Sequence, residues 1–148
     1  MKHGLRVSMI FLLCFTSAGA LAEKPETLAD LKARAERARP EECARVCADL
    51  ARRELDETIG EFVEGRPESA RLALRDMSAF AEKATDAAIR TRKHEKQLEI
   101  ELREISHRLA NLKRSLTLED QPAVDAAMEN LEKLRTRLLD HMFEKGKK

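Results

Sequence analysis

The sequence predicts an all-α protein: an elongated helical bundle, or antiparallel coiled-coil-like helical hairpins, around one long central helix. Three observations predict it. Fourteen positions, Ala70, Leu74, Met77, Ala81, Ala84, Ala88, Thr91, Glu95, Leu98, Leu102, Ile105, Leu109, Leu112 and Leu116, follow one another at alternating steps of four and three residues. Only Thr91 and Glu95 break the apolar rule, so this is a heptad seam sustained over six repeats. The four prolines, at 25, 40, 67 and 122, divide the chain into helix-length pieces. Finally, charged residues make up 37% of the chain, with five Phe and neither Trp nor Tyr. So few bulky apolar groups favour long helices meeting along narrow seams, with a second copy available to complete them.

The first 22 residues have the three-part form of a secretory leader. Lys2, His3 and Arg6 are basic, residues 9–15 (MIFLLCF) are apolar, and the small-residue stretch Thr16-Ser-Ala-Gly-Ala-Leu-Ala22 follows. Cleavage is expected after Ala22, where the polar Glu23-Lys24-Pro25 begins. The apolar run is well short of the roughly 20 residues that span a bilayer. Cys14 lacks the small preceding residue that lipid attachment needs, since Leu12 and Leu13 stand before it. The expected location is therefore the periplasm or the outside of the cell, with no transmembrane anchor in the mature chain.

Removing 22 of the 148 residues leaves 126, one domain of ordinary size. Lys2 and Arg6 leave with the leader, so the mature chain carries 26 basic and 27 acidic residues. Nucleic-acid binding calls for a basic excess or a basic stripe, and this balance points away from it.

A first helix is expected over 27–38, with Thr27 as its N-cap and Leu28, Leu31 and Ala35 on one side. Pro40 ends that run and suits the first turn of the next, where Glu41 and Glu42 complement the helix dipole. The second helix is expected over 40–64. Its apolar positions Cys43, Val46, Cys47, Leu50, Ala51, Leu55, Ile59, Phe62 and Val63 keep helical spacing, with Glu54 an exception, and Gly65 is a natural stop. The third, over 67–116, carries the heptad seam and would be about 70 Å long at 1.5 Å per residue. Its seam changes from alanine-rich to leucine-rich at the polar stretch Arg90-Thr-Arg-Lys-His-Glu-Lys96, the place where it would bend or break. A turn over Thr117-Leu-Glu-Asp-Gln-Pro122 leads to the last helix, 122–143, with Val124, Ala127, Leu131, Leu134, Leu138 and Met142 as its seam. Residues 144–148 form a basic tail. Short connections make neighbouring helices antiparallel, so the second helix should lie along the alanine-rich half and the last along the leucine-rich half.

Cys43 and Cys47 are the only cysteines beyond the leader, four residues apart on one helical face. Three readings are open: small apolar members of the seam, partners in an intermolecular disulfide, or a soft-metal or redox pair. A disulfide between them inside a regular helix is disfavoured. Their Cβ atoms would stand roughly 5–6 Å apart, against about 3.8 Å in a bridge. Zinc would need two more ligands, and His94, His107 and His141 lie in other segments without ligand spacing.

Acidic residues alternate with basic ones at helical spacing, as in Glu95, Glu99 and Arg103, the mark of a solvated face. No phosphate-cradling glycine loop, nucleophile elbow or paired-histidine zinc motif occurs. Glu104-Ile-Ser-His107 is the one Glu-x-x-His, without the second copy a two-metal bundle requires. The expectation is no enzyme, no catalytic residue and no cofactor.

Three resemblances bear on this. Phe62-Val-Glu-Gly65-Arg-Pro-Glu-Ser-Ala70 resembles the turn of a tetratricopeptide hairpin, which implies a helix–turn–helix; its single occurrence does not make a repeat array. In size, location and helicity the chain is similar to periplasmic stress chaperones of the Spy and CpxP type, without their repeated Leu-Thr-x-x-Gln motif: Leu116-Thr117 meets its glutamine at Gln121, one residue late. Phe80-Ala-Glu-Lys-Ala-Thr-Asp-Ala-Ala-Ile89, Leu118-Glu-Asp-Gln-Pro122 and Arg137-Leu-Leu-Asp-His-Met-Phe143 resemble small exported helical proteins of acidobacterial type. That resemblance implies export and helicity and carries no functional residues. The function expected is thus an exported structural or protein-interaction protein that self-associates or meets an envelope protein. The alternative is a periplasmic stress-type chaperone or a metal sensor using Cys43 and Cys47.

Overall fold

The structure, a computed structural model, describes residues 25–144. The leader expected over 1–22, its cleavage after Ala22, and residues 145–148 lie outside the described residues. Within them the chain forms five α-helices and no strand: α1 (Leu28–Arg37), α2 (Pro40–Val63), α3 (Pro67–Thr91), α4 (Glu95–Lys113) and α5 (Gln121–Glu144).

Local chemistry sets the ends. Thr27 and Asp30 make a reciprocal cap on α1: the Asp30 amide donates to Thr27 Oγ1 at 3.1 Å and the Thr27 amide to Asp30 Oδ2 at 3.2 Å. That contact holds the Asp30 carboxyl below its ordinary range. Pro40 occupies the first turn of α2, where its missing N–H is no loss. The far end of α2 closes on Gly65 at φ +73°, with the Arg66 amide on Glu61 O (2.8 Å) and the Gly65 amide on Phe62 O (3.1 Å). This pair of bonds satisfies the last carbonyls, and the left-handed residue reverses the chain into α3.

The single helix expected over 67–116 is a correction: it is two helices. Arg92 and His94 both take left-handed backbone, at φ 56° and 63°, and the chain reverses between Thr91 and Glu95. The local sequence suits a break. Arg90 lies in the last turn of α3 and Glu95 in the first turn of α4, each with the sign its helix end favours. The Thr91 hydroxyl donates to Ala87 O at 2.8 Å in the last turn of α3. In place of a rod of about 70 Å there are helices of 25 and 19 residues, so the longer spans about 37 Å.

Ion pairs across the helices fix their directions. α4 and α5 are antiparallel, tied by Lys113–Asp125 (2.6 Å), Arg135–Glu99 (2.8 Å) and His141–Glu95 (3.1 Å). α2 and α3 form the other hairpin. The two hairpins stack so that helices of the same direction adjoin. Arg71–Asp120 (2.7 Å), at the residue just before α5, and Arg137–Asp86 (2.6 Å) join α3 to α5, while Lys93–Glu41 (3.2 Å), from the link just before α4, and Arg108–Asp56 (2.6 Å) do the same for α4 and α2. α2 and α5 occupy opposite corners.

One core runs through these four helices. Ala44, Ala48 and Ala51 of α2 meet Ala81, Ala84, Ala87 and Ala88 of α3, where small side chains let the backbones approach closely. Leu98, Leu102, Ile105 and Leu109 of α4 face Val124, Leu131, Leu134 and Leu138 of α5. Every apolar seam position from Ala70 to Leu112 is buried inside the one chain. α1 lies outside the four, with Leu31 buried against Val46 and Leu50. No helix among the described residues is long and apolar enough to cross a membrane.

Candidate functional site

Two residues singled out by sequence, Cys43 and Cys47, lie near the start of α2. Their Sγ atoms stand 3.5 Å apart, in contact and unbonded. Cys47 is buried in the main core, and Cys43 is half-buried beside it. Burial, then the hydrogen bond with Cys43, pushes the Cys47 thiol up to about 12, partly countered by Lys83. A thiol so placed is protonated at neutral pH and a poor nucleophile. Among the described residues no group of three or more His, Cys, Asp or Glu side chains is placed to hold a metal ion. The histidines stay in separate settings: His94 holds the N-cap position of α4 without a side-chain capping bond, His107 lies 3.5 Å from Asn111, and His141 meets Glu95.

A polar junction that sequence reasoning did not single out joins α1, α2 and α3. Glu54 is only 2% exposed, and Lys32 Nζ lies 2.6 Å from its Oε1 and 3.0 Å from Asp76 Oδ2. The bond to Glu54 raises the Lys32 ammonium above its ordinary value. Phe80 lies between two cations, with Lys32 Nζ 5.8 Å and Lys83 Nζ 5.5 Å from its ring centre. The signal was visible as the one charged residue in the apolar run of the second helix. Glu95, a misfit in the heptad seam, is likewise buried, with His141 as a partner.

The surface is uneven in apolar content. Where the start of α3 and the 114–120 turn lie side by side, joined by Arg71–Asp120, three of the five exposed large apolar side chains of the described residues gather: Val63 (79% exposed), Leu72 (56%) and Leu118 (84%), while Ile100 (37%) and Phe143 (69%) lie elsewhere, on α4 and at the end of α5. An open groove of about 600 Å³ runs between α3 and α5 at this end, with Leu74, Ala123, Ala126 and Ala127 among its lining residues, beside Arg71, Arg75 and Asn130. A smaller hollow of about 310 Å³ between α2 and α4 is lined by Ile59, Val63 and Leu112. Two arginines at this end are matched within the chain. Arg66 pairs with Glu61 (2.6 Å) and Glu64, and Arg71 with Glu68 and Asp120.

Comparison with protein-family models, curated protein sequences and solved structures finds no match to this chain.

Proposed function

We propose that this chain is an exported helical interaction protein that works by contact, and that it self-associates through the end of the bundle bearing the two turns. The observation that carries the reading is the concentration there of exposed Val63, Leu72 and Leu118 beside an alanine-floored groove. Self-association through the heptad seam is not what the burial pattern supports, because those side chains are already spent inside one chain. Exposed apolar area bordered by charges is the usual mark of a contact surface. Arg66 and Arg71 are paired within the chain, and a second copy with the same near-neutral composition fits. The leader-like first 22 residues and the resemblance to exported acidobacterial helical proteins support a periplasmic or secreted location.

The test is sedimentation of the chain beginning at Glu23, with and without reductant, beside Leu72→Glu and Leu118→Glu. The expected result is a dimer that survives reductant and dissociates in the variants. A monomer at high concentration overturns the reading, and a dimer lost on reduction moves the contact to Cys43.

A further inference from the structure

We propose that Cys43 and Cys47 form a two-thiolate site for a soft monovalent cation, copper(I) being the one we assign. This is independent of the self-association reading. The geometry points to it in three ways. First, the sulfurs already face each other at 3.5 Å on one side of α2. With metal–thiolate bonds of about 2.3 Å, a linear bridge spans up to about 4.6 Å, so the gap must open by about 1 Å. Cys43 is half-buried and can turn about its Cα–Cβ bond to do that while Cys47 stays in the core. Its partial exposure also gives the ion a way in.

Second, the donor set selects the ion. Thiolates favour soft cations such as copper(I). Zinc in a closed protein site takes four ligands, and among the described residues no third His, Cys, Asp or Glu joins this pair. Third, the start of α2 favours the charge of the product at Cys43. Binding breaks two S–H bonds and forms two S–Cu bonds; both protons go to solvent, copper keeps its oxidation state, and the site gains one negative charge. Cys43 lies close to the start of α2, where the helix dipole favours an anion, while burial opposes charge on Cys47, so the negative charge is best carried on the Cys43 side. The proton release makes uptake stronger as pH rises.

The experiment titrates copper(I), held by a chromophoric chelator under anaerobic conditions with a non-thiol reductant, against the full chain carrying Cys14→Ser. The expected result is transfer of one equivalent per chain, with two sulfur neighbours seen by X-ray absorption. Transfer is lost in Cys43→Ala and in Cys47→Ala. Cys43→Ala is the safer variant because its side chain is not fully in the core, and circular dichroism checks that the helices persist. An unchanged chelator spectrum overturns the proposal. So does equal uptake by the Cys43→Ala/Cys47→Ala double variant, or copper found only in a dimer bridged between chains.

Discussion

Replacing Lys32 by methionine isolates what holds α1 to the bundle. Glu54 is 2% exposed, and Lys32 Nζ is 2.6 Å from its Oε1. Methionine keeps most of the stem, including its packing near Phe80, and removes the charge. Breaking a fully buried pair by deleting one partner costs about 3–5 kcal/mol, because the other charge stays behind uncompensated. Here the Lys32 side chain is 36% exposed, so water screens the pair and the loss is smaller, about 2 kcal/mol. For a domain of this size that lowers Tm by roughly 6–10 °C. The sign with pH follows from the ammonium. Lys32 has a raised pKa, so its contribution is whole below about 10.5 and fades as pH climbs through the raised value. The assay is thermal unfolding followed by circular dichroism between pH 7 and 11, with Lys32→Met/Glu54→Met alongside. The double variant should recover most of the loss. A Lys32→Met Tm that matches wild type, or a double variant less stable than the single, refutes the reasoning.

Two further outcomes follow from the same geometry. Arg92→Gly and His94→Gly should each stabilise the chain by about 0.5–1 kcal/mol, since both residues hold left-handed backbone that glycine adopts without a Cβ penalty; chemical denaturation reads this, and destabilisation would show that the reversal depends on those side chains. Alkylation followed by mass spectrometry at pH 7 should label Cys43 well before Cys47, whose thiol is buried and pushed up to about 12. Equal labelling rates would mean that the start of α2 opens readily.

The heptad pattern made helices legible because a seam is a local, repetitive signal: each of its apolar members from Ala70 to Leu112 is in fact buried. The same pattern pointed to the stretch from Arg90 to Lys96 as the place for a break without showing that the chain reverses there. A register of alternating threes and fours carries no mark of whether the chain continues or folds back in phase, since a three-residue link can preserve the count. What the pattern did carry was the change from alanine to leucine at the break, and that change had a physical cause. The alanine half packs on an alanine-bearing α2, while the leucine half meets leucines of α5. The partners were therefore readable from side-chain size even though the reversal was not. Connectivity within the bundle lay further out of reach. The stacking of parallel neighbours brings together residues more than fifty positions apart, as in Arg137–Asp86 and Arg108–Asp56.

The misfits were the more informative residues. Glu54 and Glu95 each interrupt an apolar run, and each is a buried carboxylate with a basic side chain brought from another helix, Lys32 from α1 and His141 from α5. A carboxylate in a core is tolerated only with such a partner, so a lone charged residue in a seam predicts an unseen cation somewhere else in the chain. Sequence cannot say which, because the surface offers many. The two thiols show the converse. Cys43 and Cys47 fit the seam without any misfit, and their consequence lies in a distance between sulfur atoms that spacing along a helix left undecided. Hydrophobic periodicity thus located the core, its interruptions located the buried charges, and chemistry that mimics an apolar residue was the part that only coordinates could bring out.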